Sequence, residues 1–259
     1  MIHLCAIAKN EEPYLRDWCE YHRNKGFDCI HLFDNGGNGD LSEISNYVNI
    51  YNAIGKQAIQ LPAYQQIIDW MDKDDYCLFI DVDEFVEDEL IIPALIRECD
   101  NFDVMKLSWQ VYGDNGLDEY EDKPVWERFK KPSPKDCVYN DTLPNGYTEN
   151  NHTKSLFHKT NKFAKCVSPH TIFVENGVYI NALNEETNSS PFDKIVWRNL
   201  YVKHYLTKDT ESFAKRRLGK IDACGNRIDN NKLMRWYLNL NGYNKKTEDY
   251  FKEYLNAVQ

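Results

Sequence analysis

The chain reads as an α/β protein built on a mostly parallel central sheet with covering helices, closed by helices at its C-terminal end. Three observations predict this. Ile2–Ala8, Cys29–Phe33 and Tyr76–Ile80 are short, continuous apolar runs, the mark of strands buried on both faces. Helical spacing fills the segments between them. A polar cluster follows each run at once: Lys9-Asn10, Asp34-Asn35 and Asp81-Val82-Asp83. On a parallel sheet the three clusters converge on the carboxyl edge, where ligands gather.

Ile2–Ala8 is the first strand. Asn10 reads as the N-cap of a helix with acids and Pro13 in its first turn. Leu15, Trp18, Cys19 and His22 mark its buried face and Gly26 its end. Cys29–Phe33 is the second strand, running into a Gly/Asn/Asp loop over 34–40. Gln57–Leu61 reads as a third strand and Ala63–Met71 as a helix with Ile67, Ile68 and Met71 inward. Tyr76–Ile80 is the next strand. Further strands are expected at Val104–Val111, Ser155–His158, His170–Val174 and Ile195–Lys203. The stretch Tyr112–Asp122 is loop-like, and Pro124–Pro144 is irregular. Thr207 and Asp209 are cap candidates for a helix carrying Phe213, Arg217 and Leu218. Asn231–Leu240 and Thr247–Val258 close the chain.

The 259 residues fit one large domain or a domain with an appendage, and the absence of repeats or linkers favours one. Acids outnumber bases 41 to 31, for a formal charge of −10, which disfavours a nucleic-acid partner. Aromatics make up 14%, a level that suits a polar organic ligand such as a sugar or nucleotide as well as a Tyr-rich core. The eight cysteines (5, 19, 29, 77, 99, 137, 166 and 224) form no CxxC pair, which argues against a zinc ribbon and for buried free thiols in a reducing cytoplasm. No basic, apolar leader and no run of about 18 apolar residues is present.

Asp81-Val82-Asp83 is the most informative triplet. In extended chain, residues i and i+2 point to one side, so both carboxylates can face one ligand. Their repulsion is relieved by a hard divalent cation, Mg²⁺ or Mn²⁺, which completes its shell with water and phosphate oxygens. A solvated acidic turn is the plainer reading of a bare DxD. The buried run before it, and Glu84-Phe85-Val86 returning to the core, favour the metal. Such an ion serves hydrolysis or transfer from a diphosphate. The basic stretch Lys203, Lys208, Lys215, Arg216, Arg217 and Lys220 could also neutralise such a diphosphate; a solvated helix face is the better reading for most of it, and contact with an anionic membrane surface a secondary one.

The chain resembles the bacterial family-2-like glycosyltransferases related to glycosyltransferase family 92. The resemblance spans most of it. It runs through Cys5-Ala6-Ile7-Ala8-Lys9-Asn10-Glu11 with Trp18-Cys19-Glu20-Tyr21-His22, Phe33-Asp34-Asn35, Gln60 with Ala63-Tyr64, and Phe79-Ile80-Asp81-Val82-Asp83-Glu84-Phe85. It continues in Glu127-Arg128-Phe129, Lys154-Ser155, Ser168-Pro169-His170, and His204-Tyr205-Leu206-Thr207-Lys208 with Glu211-Ser212-Phe213. It implies a GT-A fold, Rossmann-like, as a single domain over 1–259: a nucleotide-sugar half at 1–110, an acceptor half at 111–206 and C-terminal helices at 207–259. It implies a nucleotide-diphospho-sugar donor of the uridine type, UDP-galactose among the options, and inverting transfer to a glycan or lipid-linked glycan in surface polysaccharide or lipopolysaccharide synthesis. The place of action would be the cytoplasm, with peripheral contact at the inner membrane's cytoplasmic face. By position, Ala8, Lys9, Asn10 and Asp34 would hold base and ribose. Gln60, Tyr64, Asp81, Val82, Lys154 and Lys208 would complete the donor site. Asp81 and Asp83 would hold Mn²⁺ or Mg²⁺, with His204 as first and His170 as second choice for a histidine ligand. Relatives commonly have a Gly-Ser/Asn-rich turn at Tyr112-Gly113-Asp114-Asn115-Gly116, so Asp114 is a departure. Pro132–Asn151 matches nothing in the pattern.

Inverting transfer needs one carboxylate base. Asp114, in a Gly-flanked loop, and Glu127 are the first candidates, although a turn acid and an Arg128-paired acid are the plainer readings. Glu84 reads as an anchor of the DxD turn. Trp109, Tyr112 and Trp126 are the aromatics expected near an acceptor sugar, though each alone is more often core. His3, His22 and His31 read as satisfied structural residues. Two other classes stay open: a metal-dependent phosphoester hydrolase or nucleotidyltransferase, and an inactive sugar-nucleotide or glycan-binding module.

Overall fold

The structure, a computed structural model, describes residues 1–88, 92–99, 101–138, 143–220 and 229–258. Cys224, expected as a buried thiol, and residues 139–142 of the unmatched stretch lie outside them. Contacts divide the chain into two compact units, Met1–Trp109 with Asn151–Lys203, and Gln110–Asn150 with His204–Gln259. Among the described residues no helix is long and apolar enough to cross a membrane.

The first unit is a mixed α/β layer. Strand β1 (Ile2–Ala8) pairs in parallel with β2 (Cys29–Asp34) on one side and β4 (Tyr76–Phe79) on the other; β2 pairs in parallel with β3 (Val48–Asn52). The order β3-β2-β1-β4 reverses direction between β1 and β4, the switch point at which Rossmann-like sheets leave a crevice. The sheet continues through β7 (Thr153–His158), β6 (Val104–Tyr112) and β11 (Leu200–Tyr205) to β5 (Glu84–Asp88), with β10 (Tyr179–Asn181) also on β6. β7 runs antiparallel to both β4 and β6. A separate ribbon pairs β8 (Ala164–Ser168) with β9 (Thr171–Val174).

Helix α1 (Glu12–Asn24) buries Tyr14, Leu15, Trp18, Cys19 and His22, the expected stripe. Its face also meets β5, the last strand of the sheet order. Trp18 Nε1 donates to the Glu84 carbonyl (2.8 Å), and Tyr21 Oη donates to the Val86 carbonyl (2.8 Å). His22 Nε2 accepts from the Val86 N–H (3.3 Å). Helix α2 (Gln60–Trp70) packs Ala63, Tyr64, Ile67 and Ile68 into a core with Cys5, Phe33, Cys77 and Phe79. A short helix, α3 (Ile92–Glu98), follows β5.

Three local readings change. Asn10 is not a cap: its φ is +58°, and Glu11 occupies the N-cap position, its N–H bound by Asn38 Oδ1 (2.9 Å). The third strand is Val48–Asn52, not Gln57–Leu61, and Gln60 opens α2. An edge strand tolerates the polar Asn49 and Asn52 that hid it. Pro124–Pro144 contains one helical turn, α4 (Val125–Arg128). Cys5, Cys19, Cys77 and Cys166 are buried thiols, whereas Cys29, Cys99 and Cys137 are only half-buried.

The second unit holds α5 (Thr210–Arg217), α6 (Asn230–Asn241) and α7 (Lys245–Val258). Phe213, Tyr237 and Phe251 form its aromatic centre, with ring centroids 4.8 to 5.6 Å apart. Asp209 caps α5 as expected, accepting from the Ser212 N–H (2.7 Å), and its other oxygen takes the buried Arg128 guanidinium (2.8 Å).

Candidate active site

The carboxyl edge of β1, β2 and β4 gathers the polar clusters as the parallel reading requires. The Asn35 N–H and Asn38 Nδ2 both donate to the Ala8 carbonyl (2.8 and 2.9 Å), and the Asn10 N–H donates to the Gly36 carbonyl (3.1 Å). Asp34 Oδ1 accepts from the Gly36 N–H (2.9 Å) and Asn38 Nδ2 (2.6 Å). Gly37 has φ +72°, and a Cβ there would lie 2.2 Å from Asn10 Oδ1, so the loop closes this tightly only with glycine. Lys9 is exposed, while Ala8 is buried.

Asp81 emerges from the end of β4 and stays partly open to solvent. Its Oδ1 accepts from Gln60 Nε2 (3.0 Å) and its Oδ2 from Lys154 Nζ (2.7 Å). Gln60 Nε2 also reaches Tyr64 Oη (3.2 Å), and Tyr64 is fully buried. Lys154 arrives because β7 runs antiparallel to β4: two positions beyond the Leu78–Leu156 pair lies the start of β7, opposite the end of β4. Its ammonium is fully buried and also meets Glu84 Oε2 (3.2 Å), which accepts the Asp81 N–H (2.8 Å). Glu84 thus anchors the DxD turn, as its sequence position suggests. Val82 and Asp83 are buried.

Charge follows from this packing. Burial pushes the Asp81 carboxyl up, yet the Lys154 ammonium outweighs it and holds Asp81 below the ordinary carboxylate range. Burial pushes Glu84 up to about 8; Lys154 opposes this and Asp81 and Asp83 add to it. His170, just before β9, has its Nδ1 on the Thr153 carbonyl (3.0 Å). A carbonyl can only accept, so Nδ1 carries the proton and Nε2 presents a lone pair. Burial, with Lys154 and His152 adding to it, pushes this imidazole down to about 3, so it is neutral at physiological pH. His170, His152 and Trp109 cluster with tilted and edge-to-face rings, centroids 4.7 to 5.4 Å apart.

At this edge Asp81 and His170 each offer lone pairs. An ionised carboxylate offers about four lone-pair sites, and Gln60 and Lys154 each take one on Asp81. His170 has the tautomer and backbone tether of a metal-ligating histidine.

The second unit places the remaining candidates. Asp114 is half-buried: Oδ1 accepts from the Gly116 N–H (2.8 Å) and Oδ2 from Tyr237 Oη (2.8 Å), while its own N–H meets Asn241 Oδ1 (2.7 Å). Burial raises its carboxyl, and the Gly116 and Tyr237 hydrogen bonds oppose that. Tyr237→Phe removes a donor to a carboxylate and should cost about 1.5–3 kcal/mol of stability by urea unfolding; a loss under about 0.5 would show the bond contributes nothing. Glu127 is exposed on α4; Arg128 beside it pairs with Asp209. Tyr112 is buried against Tyr205 (4.9 Å), and Trp126 is half-buried. His204 is buried on β11. Lys208 is fully buried with φ +55°.

A second group of donors lies at the opposite edge of the first unit's sheet. His3, Cys29 and His31 bring ring nitrogens and a sulfur within 4.8 Å of one another, a set able to hold a metal ion. From the sequence alone the two histidines read as structural, because only the strand register shows that they meet.

No family model matches the chain, and no curated protein matches it. Among solved structures, one similar chain is described as a glucose-1-phosphate thymidylyltransferase from Bacillus anthracis in complex with a sucrose. It is 9% identical, with a TM-score of 0.33 over 100% of this chain and 96% of that one. A likeness so loose carries no argument about the fold or activity of this chain.

Proposed function

We propose that the chain is a metal-dependent glycosyltransferase of the family-92-related, GT-A type. It would move a sugar from a nucleotide-diphospho-sugar of the uridine type, UDP-galactose being the first to try, to a glycan or lipid-linked glycan of a surface polysaccharide, with inversion. The observation that carries this reading is Asp81 at the β1/β4 switch point. It follows a buried strand, stays partly open and is kept ionised by a buried lysine. A phosphate-bearing ligand meets this crevice at the ends of β1, β2 and β4.

Asp81 and Asp83 are the carboxylates for Mn²⁺ or Mg²⁺, and His170, close enough to interact with the Asp81 charge, is taken as the histidine ligand in place of His204. When bound, the ion supplies positive charge to the leaving diphosphate. Gln60 and Lys154 orient the Asp81 carboxylate. The Ala8–Asn10 and Asp34 loops form the base and ribose side. Asp114 and Glu127 are the residues to substitute when seeking the base that takes the acceptor proton.

A thermal-unfolding panel of nucleotide sugars, each with and without Mn²⁺, tests the reading. A donor at 100 times its Kd should stabilise the chain by about 2.7 kcal/mol. The shift should need Mn²⁺ and vanish in Asp83→Asn. With the donor so found, Asp81→Ala should lower turnover by about 100-fold or more. No shift with any nucleotide sugar overturns the proposal, and metal-dependent phosphoester cleavage without a sugar donor would put a hydrolase in its place.

A further inference from the structure

We propose that His3, Cys29 and His31 form a binding site for a zinc-class transition-metal ion at the amino edge of the first unit's sheet. The site is independent of the carboxylate edge: five residues of extended β1, about 16 Å, separate His3 from Ala8.

Register builds the cluster. His3 pairs with Cys29 and Cys5 with His31, so the three side chains project from one face of two adjacent strands. Their donor atoms lie within 4.8 Å of one another, and His3 Nδ1 is 3.0 Å from His31 Nε2. Two nitrogens on one tetrahedral zinc, each at about 2.0–2.1 Å, stand about 3.3 Å apart, so little movement is needed.

The surroundings supply what a metal-binding imidazole needs on its far nitrogen. Asp75 Oδ2 lies 3.1 Å from His3 Nε2 and takes its proton, which leaves Nδ1 as the lone pair facing the cluster. Tyr51 Oη lies 2.9 Å from His31 Nδ1 and can do the same for that ring. Asn49 Nδ2 donates to Cys29 Sγ (2.9 Å); burial raises the thiol and this bond opposes it, so the metal itself would have to displace the thiol proton. Cys29 is half-buried, so an ion and a completing water can enter from solvent. One sulfur and two imidazoles select zinc and its neighbours over Mg²⁺ or Mn²⁺. Two chemically distinct metals can therefore bind one chain without competing.

Cobalt(II) is the probe. Titrated into the chelator-stripped full chain, it should bind with one-to-one stoichiometry, giving a thiolate-to-cobalt charge-transfer band that equimolar Zn²⁺ abolishes. Cys29→Ser should lose the band. Asp75→Asn should weaken cobalt affinity by about 10- to 100-fold. Asp83→Asn should keep both band and affinity, so failure at the carboxylate edge would not be mistaken for failure here. The unmodified chain decides first: absence of a charge-transfer band there overturns the proposal without any variant having to fold. Persistence of the band in Cys29→Ser overturns it as well.

Discussion

Replacing Lys154 with methionine is expected to cost the first unit about 3 kcal/mol, the lower end of the range for stripping one partner from a buried ion pair. The ammonium is fully buried between Asp81 Oδ2 and Glu84 Oε2. Methionine fills a similar volume, so the loss reports charge and hydrogen bonding more than a cavity. Two effects hold it below the upper end of about 5 kcal/mol: Asp81 can turn to water, and Glu84, raised to about 8, can take a proton. The second effect gives a sharper test. Adding Glu84→Gln to Lys154→Met should recover part of the loss at alkaline pH, where Glu84 would otherwise be charged with no lysine beside it. Urea midpoints of the two single variants and the double variant measure the coupling. A single-variant loss below about 1 kcal/mol would mean the pair is not an energetic unit. A sugar-nucleotide shift that survives in Lys154→Met would remove the lysine from the donor site.

Acid should destabilise the chain well above the usual carboxylate range. His22 is fully buried; its Nδ1 donates to the Trp18 carbonyl (2.8 Å) and its Nε2 accepts from Val86. Burial pushes its pKa down from 6.5 to about 3. The unfolded chain binds this proton below pH 6.5 and the folded chain does not. The full stability is therefore present above 6.5 and drains away as pH falls toward about 3, by up to about 5 kcal/mol for this side chain alone. His170, pushed down to about 3, acts in the same direction. The slope between pH 6 and 4 should approach about 1.4 kcal/mol per pH unit for each such histidine. His22→Met will be less stable at neutral pH, but its slope should fall by one histidine's share. An unchanged slope would show that His22 is protonated in the fold.

Much of the first unit could be read without coordinates, because buried parallel strands announce themselves. IHLCAIA, CIHLF and YCLFI contain few polar residues, and the polar clusters after them do meet at one edge. What stayed hidden depended on partners distant in sequence. VNIYN looks too polar for a strand until it is seen at the edge. Lys154 enters the donor site by resemblance, but its contact with Asp81, 73 residues away, is visible only once the antiparallel pairing of β7 is known. His3 and His31 looked like core histidines, since nothing in composition announces that Cys5 pairs with His31. Asn serves both as a helix cap and as a residue tolerant of positive φ, and at Asn10 the turn prevails over the cap.

The meeting of α1 with β5 has a consequence for how copies of this chain encounter one another. The Val86 N–H, the Val86 carbonyl and the Glu84 carbonyl share one side of an end strand, the side that in a bare sheet invites another chain to add on. Tyr21, Trp18 and His22 take up those three groups with side-chain atoms, so helix α1 serves there as a surrogate neighbour. Recruitment of a foreign strand at that border would first have to evict three aromatic rings. Strand exchange or fibrillar growth in this unit is thereby steered to the opposite border, β3, where Asn49 and Asn52 stand at the surface.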